Sequence, residues 1–203
     1  MKKFLLITLL SLITISSHSQ KIENADVVID MTYYKAYYCN NIKSSSYVIY
    51  KLYKAGGKVE RKGMSFKQYK TIPYIHPWKR GYDKGHLLSA EDMAYSRKSM
   101  LSTFTYINVV PQTPHLNRGI WKKYENKERQ ISQSDSIIII CGGCDWKNLI
   151  PTKCFKIAYD LRTHKKVFSI LIDNDNTCKT HDTTEDFMKE FCFEEIEKLY
   201  NRK

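Results

Sequence analysis

The sequence has 203 residues, of which 42% are hydrophobic and 27% are charged, and its formal net charge is +12. This length and composition predict one domain with a hydrophobic core, and they exclude collagen-like and wholly disordered proteins. The excess of basic residues is typical of proteins that bind polyanions, such as nucleic acid, a membrane surface or an acidic glycan.

Residues 1–19 differ from the rest of the chain. Two lysines precede the apolar run Phe4–Ile15, and small polar residues follow it. This order predicts a secretory signal peptide with cleavage before Gln20, and a single domain over residues 20–203. The alternative is a membrane anchor, but the apolar run has only about 12 residues and a span needs about 20. We therefore expect an exported protein, periplasmic or secreted, without a stable membrane anchor and with a net charge of +10 once the two lysines are removed.

Strand patterns dominate the first half of the mature chain. Tyr47–Tyr53 is rich in Tyr, Val and Ile and predicts a strand, with Lys58–Lys62 as its charged return. Prolines and a glycine predict a loop over residues 71–82. Phe104–Val110 is rich in β-branched residues and predicts another strand, which Pro111 should end because proline lacks a backbone donor.

Helical patterns follow at three places. A short helix is expected over Ala94–Leu101, a longer one over Arg118–Ser132 with Asn117 at its N-cap, and a terminal one over Thr183–Tyr200. Three further strands are predicted over Ser136–Cys141, Phe155–Leu161 and Lys166–Asp173. Strands and helices do not alternate regularly, so the fold class is α+β with a mixed or antiparallel sheet flanked by helices.

Six cysteines occur in the chain, and two of them form the run Cys141-Gly-Gly-Cys144. Such spacing is typical of redox and zinc sites, but a redox pair is expected at a turn from a strand into a helix. Here the following residues lead to Pro151, and no second pair completes a zinc site. A structural role, as disulfide or buried thiol, is therefore expected, with redox or metal chemistry as the alternative.

Chemistry-bearing residues concentrate between residues 81 and 125. Hydrolysis of a phosphodiester needs a base to activate water, a cation at the phosphate and fixed positive charge for the transition state. A histidine, an asparagine with a nearby glutamate, and a lysine or arginine can supply these. Asn117 and Glu125 are eight residues apart, about two helical turns, and can therefore face one pocket.

Three motifs in this region resemble those of the DNA/RNA non-specific endonuclease family, which includes Serratia-type secreted nucleases and mitochondrial endonuclease G. Asp83–His86 matches the Asp-Arg-Gly-His motif, Asn108–Gln112 matches Asn-x-x-Pro-Gln, and Asn117–Glu125 matches Asn-x-Gly-x-Trp-x-x-x-Glu. The resemblance implies a ββα-metal finger embedded in a larger sheet. It also implies an endonuclease that hydrolyses DNA and RNA with little sequence preference.

Residue roles follow from the same resemblance. His86 is the implied general base, and Asn117 is the implied ligand of Mg²⁺, for which Mn²⁺ substitutes. Glu125 is expected to hold a water bound to the metal, and Asn108 to lie beside the base and position water or phosphate. A neutral His86 is required, so activity is expected to fall below about pH 6.5.

The chain departs from the family at Lys84, where arginine is usual. Lysine keeps the charge but loses the bidentate fork. Lys84 is still expected to act in catalysis, with Arg118 and Arg61 as further phosphate contacts. His115 as a second metal ligand is an alternative arrangement. Lys84 also leaves open an inactive protein that only binds nucleic acid, and the oligomeric state stays open.

Overall fold

The computed structural model describes residues 20–201. The predicted signal peptide, residues 1–19, lies outside the described residues. Within the described part of the chain, no helix is long and apolar enough to cross a membrane.

Antiparallel pairing organises all of the strands. Seven form one sheet, and in spatial order they are Val27–Asp30 (β1), Tyr34–Cys39 (β2), Ser44–Leu52 (β3), Ile137–Lys147 (β6), Ile150–Asp160 (β7), Lys166–Asp173 (β8) and Thr180–His181 (β9). Asp83–His86 (β4) and Val109–Gln112 (β5) form a separate hairpin pair. The predicted α+β class is confirmed.

Helices flank the sheet, and all of them are short. They are Arg97–Ser102 (α1), Pro114–Leu116 (α2), Lys122–Ile131 (α3), Glu185–Glu190 (α4) and Phe193–Asn201 (α5). A π-helical turn, Asn117–Trp121, joins α2 to α3. The β4–β5 pair with this helical run forms the ββα unit that the motifs imply.

Both faces of the large sheet are covered, which explains the unbroken isoleucine run in β6. Ile137 and Ile139 pack in the core on the side of the β4–β5 pair, together with Trp121. Ile138 and Ile140 pack on the opposite side, against the phenylalanines of the C-terminal helices. A strand alternates its side chains between the two faces, so each face receives apolar residues.

The same alternation decides the role of the Cys-x-x-Cys run. Cys141 packs in the core on one side of the sheet and Cys144 on the other, because both belong to β6. All six cysteines lie within residues 20–201, and all are free. Burial raises the pKa of the Cys141 thiol to about 12. A Cβ on Gly142 would overlap the carbonyl oxygen of Ser46 on β3. The run is therefore structural, as expected, and its alternative as a redox site is wrong.

Two predictions about the segment before the helical run are wrong. Tyr106–Asn108 forms a 3₁₀ turn, and the strand begins only at Val109. Pro111 does not end it, but pairs with Lys84 inside β5. Proline is tolerated there because a two-stranded pair consists of edge strands, which need not donate on both sides.

The terminal helix is also interrupted. Thr184 caps α4, but the helix ends at Glu190 and α5 starts at Phe193. Phe191 and Phe193 are both buried in the core. On a continuous helix they would point about 200° apart, so the break allows both to pack on the sheet. The charged return predicted over Lys58–Lys62 forms no strand, and these residues have irregular backbone structure.

A buried ion pair connects the sheet to α3. Lys156 on β7 donates to both carboxylate oxygens of Glu128 at 2.9 Å, and both side chains have no exposed surface. Tyr50 on β3 donates to the same carboxylate at 3.0 Å. The Lys156 ammonium also lies 4.8 Å from the centre of the Trp121 ring. This network sets the position of α3 over the sheet.

Lys156→Met should destabilise the protein by about 3–5 kcal/mol, because it leaves the Glu128 carboxylate buried without its cation. Glu128→Leu should have a similar cost for the unpaired ammonium. The double variant Lys156→Met/Glu128→Leu should lose less than the sum of the two, and urea unfolding of all four proteins measures the difference. Additive losses would show that the pair is not coupled.

Candidate active site

A cavity of about 750 Å³ opens beside the ββα unit. Its walls combine charged and aromatic side chains, and they include every site residue predicted from the sequence except Asn108. The lining residues are Arg61, Phe66, Trp78, Tyr82, Asp83, Lys84, His86, Glu91, Phe104, Asn117, Arg118, Lys122 and Glu125.

His86 lies at the end of β4, in an aromatic setting. Its ring centre is 5.0 Å from that of Phe66 and 5.1 Å from that of Phe104. Its backbone carbonyl accepts a hydrogen bond from Trp121 Nε1 at 3.0 Å. Nε2 is buried and has no hydrogen-bond partner among the described residues. Burial, reinforced by the positive charge of Arg61, lowers the pKa of His86 to about 3, so the imidazole is neutral.

The helical run after β5 starts earlier than predicted. Thr113 is the N-cap, since its hydroxyl accepts from the Leu116 amide, and Pro114 takes the first helical position. The prediction that Asn117 caps the helix is therefore wrong. Asn117 opens the π turn instead, and the backbone leaves helical geometry at Gly119. Such turns are frequent at functional sites because they displace side chains from the regular helical positions.

Asp83 orients the side chains of this turn. Its carboxylate accepts from Asn117 Nδ2 at 2.9 Å, and from Arg118 Nε and Nη2 at 2.8 Å each. These contacts, chiefly the one with Arg118, lower the pKa of Asp83 although partial burial opposes them. A carboxylate can only accept, so the amide nitrogen of Asn117 must face Asp83 and its Oδ1 remains available to a cation. Sequence reasoning assigned Asp83 no role, although it begins the first motif.

Glu125 lines the same cavity from α3. Burial raises the pKa of its carboxyl to about 7, with Lys156 opposing the rise and Glu128 adding to it. Within residues 20–201, no group of three or more His, Cys, Asp or Glu side chains is placed to hold a metal. Asn117 and Glu125 nevertheless offer oxygen donors only, which suits a hard cation that keeps most of its waters. The residues therefore fit the implied ion.

Lys84 is held by aromatic side chains. Its ammonium donates to the hydroxyl of Tyr106 at 2.9 Å. The same nitrogen lies 5.3 Å from the ring centre of Phe66, 4.9 Å from that of Tyr106 and 5.9 Å from that of Trp78. Aromatic faces attract a cation, so these contacts fix a side chain that is otherwise flexible. They give the lysine a defined position at the cavity without the fork of an arginine.

The remaining basic residues divide between the cavity and the surface. Arg61 lines the cavity and lies 3.8 Å from the carboxylate of Glu91. Arg118 is mostly exposed, and its contacts with Asp83 occupy two of the five N–H groups that a guanidinium carries. His115 is exposed and does not line the cavity, so the alternative in which it is a second metal ligand is wrong.

Asn108 does not line the cavity, and its side chain is not placed to position water or phosphate as predicted. The side chain is fully buried, and its amide accepts from the Leu88 amide and donates to the carbonyls of Leu88 and Thr103. All of these bonds are to backbone, so Asn108 supports the chain just after His86. A related contact explains the glycine of the first motif, because a Cβ on Gly85 would overlap the buried side chain of Gln112.

Comparisons with known proteins agree with this geometry. The sequence profile of the DNA/RNA non-specific endonuclease family matches residues 13–194. Human mitochondrial endonuclease G is 40% identical over 63 residues, which are 31% of this chain and 21% of that protein. A nuclease from Nostoc sp. is 30% identical over 120 residues, 54% of this chain and 43% of that protein. The chain thus spans less than half the length of these curated relatives.

A solved structure shares the fold. A crystal structure of an EndoG/EndoGI complex, concerned with the mechanism of EndoG inhibition, superposes with a TM-score of 0.62 at 21% identity. The superposition covers 82% of this chain and 83% of that one. The predicted α+β fold with a large antiparallel sheet is confirmed, but the ββα unit lies beside that sheet and is not embedded in it, because β4 and β5 pair only with each other.

The buried His86 should make stability depend on pH. The folded state keeps a pKa of about 3, whereas the unfolded chain binds a proton near pH 6.5. Between these values the unfolded state carries the extra proton, so His86 contributes a fall of about 1.4 kcal/mol per pH unit in the free energy of unfolding as the pH drops. Glu125, whose pKa is raised to about 7, contributes with the opposite sign in this range, so the variant is compared with the wild type at each pH. His86→Leu removes this contribution. Urea unfolding between pH 7 and 4.5 should show that the difference in free energy of unfolding, wild type minus variant, falls as the pH drops. A difference that stays constant with pH would contradict the assignment.

Proposed function

The chain belongs to the DNA/RNA non-specific endonuclease family, and we propose that it is a metal-dependent endonuclease that hydrolyses phosphodiester bonds in DNA and RNA. One observation carries the proposal. A neutral, buried His86 shares a cavity with Asn117, whose amide Asp83 orients so that its oxygen is available to a cation.

His86 is proposed as the general base. Its Nε2 has no accessible surface, so we assign Nδ1 as the nitrogen that takes the proton from the attacking water. The lowered pKa keeps the imidazole unprotonated well below neutral pH. The sequence alone predicted a loss of activity below about pH 6.5. Because burial lowers the pKa of His86, we now expect any acid limit that this residue sets on activity to lie at a lower pH. The lowered pKa also makes the His86 imidazole a weaker base.

Fixed positive charge surrounds the position proposed for the phosphate. Lys84, Arg61 and Arg118 all line the cavity and would stabilise the negative charge that develops in the transition state. Asn117, with Glu125 through a water, would hold the cation, for which Mg²⁺ is proposed and Mn²⁺ is the substitute. When bound, such an ion neutralises the phosphate and stabilises the leaving oxygen.

Little sequence preference is proposed because the charged groups of the cavity suit phosphate, which every nucleotide carries. Binding should then weaken steeply with salt. No observation on the described residues favours the alternative of an inactive binding protein, since His86, Lys84 and Asn117 all line the cavity. We also propose export, on the sequence pattern of residues 1–19, with residues 20–203 as one nuclease domain.

Plasmid DNA and RNA should be degraded by the protein with Mg²⁺ or Mn²⁺, and not with EDTA. His86→Ala should lower the rate by about 10²-fold or more, because general base catalysis contributes about that much. Gel electrophoresis over a time course measures both. A wild-type protein that is inert with every divalent metal and at every pH would make the binding protein the leading function.

Asp83→Asn should raise the Mg²⁺ concentration at half-maximal rate by about 10- to 100-fold, since residues that orient a ligand tune metal affinity by this much. The variant removes the carboxylate that orients Asn117 and Arg118. Asp186→Asn is the matched control, because Asp186 is exposed on α4 and away from the cavity. An unchanged Mg²⁺ midpoint in Asp83→Asn would contradict the orienting role.

A further inference from the structure

Four aromatic side chains line the cavity, and two of them, Trp78 and Tyr82, have no role in the proposed chemistry beyond the contact of the Trp78 ring with Lys84. Phe66 and Phe104 pack against the ring of His86 and against each other, with ring centres 5.2 Å apart. Trp78 and Tyr82 also line the cavity, from the irregular segment that precedes β4. Neither contacts His86, and charged groups would be enough to hold a phosphate.

The indole of Trp78 is held in place by a hydrogen bond, but no aromatic ring of the described residues stacks on it. Its Nε1 donates to the carbonyl of Tyr82 at 3.1 Å. Its nearest ring is that of Tyr106, at 6.1 Å and tilted by 42°. Within residues 20–201, no aromatic ring stacks face to face on Trp78, and Tyr82 makes no ring contact. Both side chains are only partly buried.

Other aromatic residues already stabilise this segment. Tyr74 stacks on Tyr106 with ring centres 4.1 Å apart and 21° between the planes. Tyr106 in turn accepts the hydrogen bond from Lys84. The contact between Tyr74 and Tyr106 therefore packs this segment against the rest of the protein, and stacking by Trp78 or Tyr82 is not required to hold it.

The position of Lys84 relates this surface to the phosphate. Its ammonium lies 5.9 Å from the ring centre of Trp78 and in the same cavity as His86. The Lys84 ammonium and the Trp78 ring are thus neighbours. A nucleotide carries a phosphate and a base, and it can contact the two residues together. Every base has a π-face, so stacking on such a ring is tolerant of sequence.

We infer that Trp78 and Tyr82 form a stacking subsite for one nucleobase of the substrate. Bases inside a duplex are already stacked on both sides, and a side chain can reach a base face only where the strand is unpaired. The subsite therefore favours single-stranded over double-stranded nucleic acid. The inference rests on the proposed nuclease function, and it adds the strand preference that phosphate contacts alone do not produce.

Binding of fluorescein-labelled oligonucleotides tests the subsite. The ligands are a single strand, the matching duplex, and an abasic strand of equal length, which keeps the phosphates but lacks the bases. Trp78→Leu and Tyr82→Leu are compared in the His86→Ala protein, so that no cleavage intervenes, and Tyr53→Leu is the control because Tyr53 is exposed and does not line the cavity. Trp78→Phe keeps an aromatic face.

Trp78→Leu should weaken binding of the single strand by about 5- to 150-fold, the range for loss of one stacked base. It should weaken binding of the abasic strand much less, because Lys84 keeps its hydrogen bond to Tyr106. The preference for single strand over duplex should shrink, Tyr82→Leu should change binding in the same direction, and Trp78→Phe should restore most of the affinity. Equal losses for the normal and abasic strands, or no loss for either, would overturn the subsite.

Thermal unfolding of each variant, compared with Tyr53→Leu, shows whether weaker binding comes from the loss of the side chain or from unfolding. If Trp78→Leu is unfolded, the binding of Tyr82→Leu tests the subsite in its place. Failure of the proposed nuclease function is measured separately from failure of the subsite, by whether the wild-type protein cleaves DNA and RNA. A protein that binds bases through Trp78 without cutting would refute the nuclease and keep the subsite. A protein that cuts, but whose Trp78→Leu variant binds normally, would refute only the subsite.

Discussion

The hydrogen bond from Trp121 Nε1 to the backbone carbonyl of His86 connects the two halves of the ββα unit. One half carries the proposed base and the other carries Asn117, so this bond sets the distance between them. Trp121 is fully buried, and the ammonium of Lys156 lies against its ring. The geometry of the cavity therefore depends on the ion pair between Lys156 and Glu128, which anchors α3 to the large sheet.

Desolvation acts in opposite directions on the pKa values of His86 and Glu125, two of the titratable groups that face this cavity. It lowers the pKa of His86, because the charged imidazolium is disfavoured, and raises that of Glu125, because the charged carboxylate is disfavoured. Both groups are thus pushed toward their neutral forms. A neutral histidine can accept a proton, whereas Glu125 needs a nearby cation to favour its ionised form. The burial of His86 reduces stability as the pH drops, whereas the raised pKa of Glu125 opposes that loss as the pH falls below about 7.

Several features were predictable because they depend on short sequence distances. Asn117 and Glu125 share one helical run, and both line the cavity. The three central strands, the N-cap at Thr184 and the α+β class also follow from local periodicity and capping. Asn108 was misassigned because its partners, the backbone of Leu88 and Thr103, depend on how the chain folds back and not on its own neighbours.

The sequence by itself determined the motif residues, the basic charge and the order of most elements, since these follow from residue type and spacing. Only the tertiary structure decided which atoms meet. The contact between Asp83 and Asn117 spans 34 residues of chain, and the low pKa of His86 depends on burial by Phe66 and Phe104. Local patterns specify helices and strands, but the orientation of an amide and the polarity around a ring are set by segments far apart in the chain.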